Sequence, residues 1–378
     1  SPKCRYHLTS EAAQLYWSLA QIDAAIKTAS EALEIAQILK DPVIEAKALS
    51  CLADLDHGNR PLPERLEMLH RALKMAQDAN APHAESLILL ALSAATMRSA
   101  DPEQASTYAQ AVLKLGQTLG SDYLQARALR FLAGTCMDLG KPTQAEKHLT
   151  DSLQLARRLG QAGMLVKVYV SLGTLYKDIG RLEASVQAHE DGIEIARGIG
   201  AVRDECILLG NLALILQLQG KIDDAQALYA DTLALTEATG LANIKDMAHG
   251  NLGDLLLGEG ELEGAVDHLN KAIEGMDSYQ EIAAGCFRGS LAWACAQRGD
   301  FDTAHALLEA GEAQLKDVWI FEYGRVLCRR AQVLALQGNQ ADAQIALKAA
   351  KDIAHIHSDA SESDLGQLIT QAEEDLAH

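Results

Sequence analysis

Gly258-x-Gly260-x-x-x-Gly264 is the nearest this chain comes to a phosphate-cradling loop, and His189-Glu190-Asp191 and His355-x-His357 are the nearest it comes to a metal-ligand set. Neither reading survives the spacing. A phosphate loop needs a strand before it and Lys-Ser/Thr after it, whereas these glycines follow a helical stretch and lack both residues. Consecutive residues of a helix point to different faces, so His189, Glu190 and Asp191 do not converge on one ion. His355 and His357 fall beside a turn and are read as incidental. No H-E-x-x-H, nucleophile elbow or paired-carboxylate framework occurs. The expected chemistry is recognition without catalysis, with no cofactor and no metal.

The seven cysteines, at 4, 51, 136, 206, 286, 295 and 328, form no C-x-x-C pair. A scattered, odd set reads as free thiols in a reducing compartment, and hence as a cytoplasmic protein. Lys plus Arg total 33 against 52 for Asp plus Glu, a formal net charge of -19, which repels a nucleic-acid backbone. Neither a long apolar run nor a signal sequence is present, so no membrane partner is expected. The chain opens on Ser1-Pro2 and is read as a segment of a longer protein.

What must position any binding residues is a repeat. Gly140, Gly180, Gly220 and Gly260 stand 40 apart, followed at 39 by Gly299 and Gly338, while Gly120, Gly160, Gly200 and Gly240 form a second series half a unit away. Two glycine-marked turns per unit imply two helices per unit. Between turns, apolar and small residues recur at three and four, as in Ala145, Leu149, Ser152, Leu153 and Ala156, the stripe of an amphipathic helix. Pro42 and Pro82 stand 40 apart between hairpins, and Pro102 and Pro142 stand 40 apart at the start of a second helix, where a missing N–H costs nothing. Glu183, Asp223, Asp224 and Asp302 open second helices and complement the helix dipole. The unit extends backwards with weaker punctuation, through Ala25-Ala29-Ala32-Leu33-Ala36 and Leu69-Ala72-Leu73-Ala76.

Leu172-Gly173-x-x-Tyr176-x-x-x-Gly180 with Ser185, His189 and Gly192 resembles the tetratricopeptide (TPR) signature, and Leu252-Gly253-x-x-Leu256-x-x-x-Gly260 and Leu212-Ala213-x-x-Leu216-x-x-x-Gly220 repeat it. Small residues let two helix backbones approach while large ones fill the gap. The resemblance implies an all-α superhelix, or solenoid, of nine hairpins at 5–40, 41–80, 81–120, 121–160, 161–200, 201–240, 241–280, 281–318 and 319–357. A polar capping helix is expected within 358–378. The unit is longer than the usual 34 residues and is similar to Pins-type adaptors, kinesin light chain and bacterial signalling proteins of the MalT-like kind. Three departures stand out: Arg65 in a small-residue slot, Pro61 with Pro63 at a turn, and Arg330 in a large apolar slot.

In TPR folds the first helix of each hairpin lines the concave groove. Matching the motif projects Arg127, Arg130, Lys167 and Lys177 there as a basic centre, flanked by Ile207, Leu214, Met247 and Trp293 as apolar contacts. The basic centre is read either as an acidic-ligand site or as a solvated face paired with Asp138 and Asp178. Asn211 and Asn251, each after a glycine, resemble the asparagine ladder by which related repeats hold an extended peptide backbone, since an amide supplies donor and acceptor together. A local helix-to-helix bond is the alternative. Elsewhere that phase holds Cys51, Ala91, Phe131, Ser171, Ser290 and Arg329, and Cys136 and Cys295 are read as core fillers.

The resemblance therefore implies a non-enzymatic scaffold that binds a protein or peptide in its groove, as the interaction or regulatory segment of a larger bacterial signalling protein. The alternative is a small-molecule sensor like the regulatory domain of MalT-type activators. Self-association through the irregular end hairpins stays open. Because a repeat array is stabilised by its units and their nearest-neighbour contacts, removing terminal hairpins one at a time should lower the thermal midpoint in steps, as followed by circular dichroism, rather than abolish folding at the first cut.

Overall fold

The computed structural model describes residues 1–18, 21–56, 60–97, 101–277, 281–316, 319–355 and 364–377, and all the regular structure in them is α-helical. The helices are α1 (Pro2–Ser18), α2 (Ile22–Leu39), α3 (Pro42–Leu55), α4 (Leu62–Asp78), α5 (Pro82–Met97), α6 (Pro102–Thr118) and α7 (Asp122–Asp138). Next come α8 (Pro142–Leu159), α9 (Ala162–Asp178), α10 (Leu182–Ile199), α11 (Val202–Leu218), α12 (Ile222–Thr239) and α13 (Ala242–Gly258). The last are α14 (Leu262–Met276), α15 (Glu281–Gln297), α16 (Phe301–Leu315), α17 (Ile320–Leu336), α18 (Gln340–His355) and α19 (Asp364–Ala377). His357 and the side chain of His355 lie outside the described residues.

Local chemistry accounts for the ends of these helices. Prolines 42, 82, 102 and 142 each stand first in a helix, and Pro63 stands second in α4, where the turn is displaced to Pro61. The Val43 and Ile44 N–H groups donate to the Asp41 carboxylate, and those of Gln104 and Thr303 donate to Asp101 and Asp300. At the reversals the backbone turns left-handed, with φ from 61° at Gly120 to 84° at Gly299. Lys40 (φ 52°) and Asn80 (φ 49°) hold the same conformation without glycine, which is why the glycine series fades toward the N-terminus.

The chain packs as two compact units, Ser1–Leu175 with Ala188–Glu205 and Tyr176–Gln187 with Cys206–His378. In the first, α1 packs on α2, α3 on α4, α5 on α6 and α7 on α8, and the first helices also touch their successors, α3 to α5 to α7. In the second, α13 packs on α14, α15 on α16 and α17 on α18, with α13, α15, α17 and α19 in a row. Each unit thus has an inner layer of first helices. Ala105, Ala145, Ser185, Ala225, Ala265, Ala304 and Ala343, one in each second helix from α6 to α18, are fully buried. Arg65 occupies that slot in α4 at 3% exposure, and its Nε donates to the Ala53 carbonyl at 2.7 Å. Arg330 pairs with Glu312 of α16 instead of filling an apolar gap. Cys136 is buried and Cys295 packs against the core of the second unit, as fillers should.

The terminal helix is more than a polar cap. Leu365, Leu368, Ile369 and Ala372 of α19 are buried in one cluster with Leu327, Ala331 and Leu347, so the helix is amphipathic.

Close approach is tightest at Gly173 of α9, where an added Cβ would lie 2.0 Å from the buried His189 ring of α10. Gly173→Ala should therefore destabilise by about 1–3 kcal/mol in chemical denaturation. Lys40→Gly, which relieves a left-handed residue without touching a neighbour, should instead stabilise, by about 0.5–1 kcal/mol.

In the second unit His249 Nδ1 lies 2.9 Å from His268 Nδ1. Burial, then the His268 ring and Lys271 and Lys245, which outweigh Asp267, pull His249 down to about 4 from 6.5. A base whose folded value is depressed contributes stability that is intact above 6.5 and lost as pH falls from there toward 4. Urea melts at stepped pH should show that decline, and His249→Asn should flatten it.

Candidate functional site

The second unit holds a half-open cavity of about 310 Å³ lined by α11, α13, α15, α17 and α19. Leu214, Met247 and Asn251 reach it from α11 and α13. Phe287 of α15 and Trp319, at the N-cap of α17, supply aromatic walls, and Trp319 is half exposed. The position of Phe287 depends on the residue before Asn251. A Cβ on Gly250 would lie 2.3 Å from the Phe287 ring, so the glycine is what lets α15 settle against α13 here. Nothing comparable crowds Gly210.

The floor of the cavity is charged. Asp254 stands one turn beyond Asn251 and faces Arg325 at 3.7 Å, which also meets Glu322 at 3.2 Å. Arg329 donates through Nη1 to Gln332 (3.0 Å), whose Nε2 donates to Asp375 of α19 (2.6 Å). That relay orients Arg329 but leaves its Nε, and Oδ1 of Asp254, buried with no hydrogen-bond partner. Burial raises the Asp254 pKa against the pull of Arg325, and burial lowers that of Arg329 against the pull of Asp254. A buried acceptor and a buried donor, both unmet, border one space whose walls are part polar and part apolar.

In the first unit Arg127 and Arg130 stand one turn apart on α7. Arg127 lies over the Tyr123 ring (5.6 Å to its centroid) and Arg130 over Phe131 (4.8 Å). Among the described residues neither guanidinium has a carboxylate partner. Burial and the neighbouring Arg127 charge pull Arg130 down to about 10.

The other projected residues divide. Lys167 is exposed and pairs with Asp204 at 3.9 Å, and Lys177 pairs with Asp178 at 2.8 Å, so neither is a spare cation. Lys177 falls in the second unit and the other three in the first, so the four do not form one centre within either unit. Asn211 and Ile207 are half-buried and lie outside the cavity lining. Neither the Asn211 nor the Asn251 amide side chain makes a hydrogen bond among the described residues. Trp293 requires a correction. It is 9% exposed and belongs to the core cluster with Leu255, Val326 and Val333, where an indole buries far more area than at a groove wall. Asp254, Phe287, Trp319, Glu322, Arg325 and Arg329 were not foreseen as site residues. Arg329 was signalled by its phase, which it shares with Asn251, and Asp254 by its place one turn after that asparagine.

Among the described residues no group of three or more His, Cys, Asp or Glu side chains is placed to hold a metal ion, and no helix is long and apolar enough to cross a membrane. Residues 161–373 match the MalT-like TPR region and residues 11–38 match a tetratricopeptide repeat. No curated protein matches the chain. Among solved structures, a Rap protein complexed with Competence and Sporulation Factor aligns over 98% of each chain at 12% identity, with a TM-score of 0.62. NprR in complex with its cognate peptide NprX aligns over 84% of this chain and 97% of its own at 11% identity and TM-score 0.54. A STAND protein with a tetratricopeptide repeat sensor, PH0952 from Pyrococcus horikoshii, aligns over 92% of this chain at 15% identity and TM-score 0.58, and the chain spans 55% of it. At these identities the shared property is the fold. The helical hairpins, their glycine turns and a family match over more than half of the residues agree, and the chain belongs to the MalT-like TPR family.

Proposed function

We propose that the chain is a peptide-binding regulatory scaffold whose second unit holds an extended peptide in the cavity between α11, α13, α15, α17 and α19. The observation that carries this reading is the set of unmet polar groups on one partly apolar site: the Asn251 amide, the Asp254 Oδ1 acceptor and the Arg329 Nε donor. A peptide backbone brings donors and acceptors alternately, so it can answer both kinds of group. Leu214, Met247, Phe287 and Trp319 then take apolar side chains. The same fold occurs in a Rap protein complexed with Competence and Sporulation Factor and in NprR with the peptide NprX, which supports the reading at the level of architecture.

A cavity of about 310 Å³ also suits a small metabolite, at the lower end of the usual range of about 300–1,000 Å³, and this favours small-molecule sensing as the second reading. The sensor in PH0952 has the same architecture.

Selection from a displayed library of random short peptides against the full chain should enrich sequences with micromolar affinity, about -8 kcal/mol. Asn251→Ala should weaken the selected peptides by roughly five- to tenfold in calorimetry, the worth of one or two hydrogen bonds. Failure to enrich any peptide, together with a thermal shift from a low-mass compound in a metabolite panel, would replace this reading with the second.

A further inference from the structure

Arg127 and Arg130 are an electrostatic anomaly that the peptide site leaves unused. Among the described residues, several charged groups partly withdrawn from water have an opposite charge close by: Asp56 has Arg60 at 2.9 Å, Glu205 has Arg197 at 2.7 Å, and Asp254 has Arg325. Arg130 has Phe131 and Arg127 instead. Its Nε is sealed from solvent with no acceptor, and the nearest charge acting on it has the same sign. Arg130 is half-buried with one sealed nitrogen, so holding its charge without a partner costs part of the several kcal/mol of a fully buried one, a penalty that an apolar substitution would avoid.

The two side chains are also held in a form suited to binding. Each guanidinium lies against an aromatic ring, which attracts a cation at these distances and removes rotamer freedom without consuming the donors on the edge of the group. Tyr123 takes only one weak bond, at 3.4 Å, from Arg127 Nη1. The nearby Asp122 is engaged by Arg158 at 3.0 Å. Two stacked forks one helical turn apart, with no carboxylate between them, carry a local charge of two in a partly desolvated place.

We infer that Arg127 and Arg130 form a binding site in the first unit for a phosphoryl group. A phosphate monoester at neutral pH carries about -1.5 to -2, which balances both guanidiniums, whereas a single carboxylate would leave one of them uncompensated. Arginine also matches phosphate oxygens bidentately. The ligand is a free phosphate compound or a phosphorylated residue of a bound peptide. The site is separate from the peptide cavity of the second unit, so either can fail without the other.

The test is calorimetric titration of the full chain with inorganic phosphate and, separately, with a phosphoserine peptide and its unphosphorylated twin, at constant ionic strength. Saturable phosphate binding that weakens at least about tenfold in Arg130→Met supports the site, as does partial retention in Arg130→Lys, which keeps the charge but loses the fork. In phosphate-free buffer Arg130→Met should melt no lower than wild type, since it removes an unpaired charge. Should that variant not fold, Arg127→Met carries the same comparison. Tighter binding of the phosphoserine peptide than of free phosphate assigns the group to a partner chain, and equal binding assigns it to a small phosphate compound. Absence of phosphate binding, or equal binding by wild type and the Arg130→Met and Arg127→Met variants, overturns the inference.

Discussion

The fold depends on reversal. At most of the described turns one residue stands in the left-handed region, and a helical array of this length needs many such turns at regular intervals. Glycine adopts that conformation without strain, so most turns are glycine, and the chain's periodicity is the periodicity of this one backbone requirement. Lys40 and Asn80 meet the same requirement at a cost of about 1–2 kcal/mol each, which neighbouring helix contacts evidently cover. Once the reversals are set, the small buried residues near the start of each second helix allow the backbones to close, and the aliphatic residues around them fill what remains.

A stack of this kind leaves its polar groups few places to hide, and the exceptions are informative. Arg65 survives in a slot built for alanine because its guanidinium reaches a backbone carbonyl across the hairpin. In the second unit, opposite charges are gathered on the inner helices and joined to α19 through Gln332 and Asp375, so the last helix completes the site that it also covers. In the first unit, two like charges stand side by side on α7 with only aromatic rings for company. These are different solutions to the same low-dielectric surroundings. One is nearly neutral with unmet hydrogen bonds, and the other has a single weak bond, from Arg127 to Tyr123, and carries net charge.

The repeat register projects which face of a helix a residue occupies, and Leu214, Met247 and Asn251, named on that basis, line the cavity of the second unit. It did not tell depth. Trp293, projected onto the same face, is carried by its bulk into the core. Nor did it tell neutralisation. The basic centre was read either as an acidic-ligand site or as a face paired with Asp138 and Asp178; Lys177 does pair with Asp178, while the Asp204 partner of Lys167, from the next repeat, was not foreseen. Arg325 and Trp319 were invisible because their relevance comes from which other helices face them.

By itself, then, the sequence determined the helices, their caps, the left-handed turns and the small-residue contacts, because each depends on residues within one or two turns of one another or on a phase that repeats. The tertiary structure alone decided that α19 lines a cavity with the inner helices of the second unit, that Phe287 lies on Gly250, and that Arg130 is partly withdrawn from water without a carboxylate. Those outcomes depend on the distance between side chains far apart in the chain, and the electrostatic energy of a group is set by that distance and by the water it loses, neither of which a repeat pattern encodes.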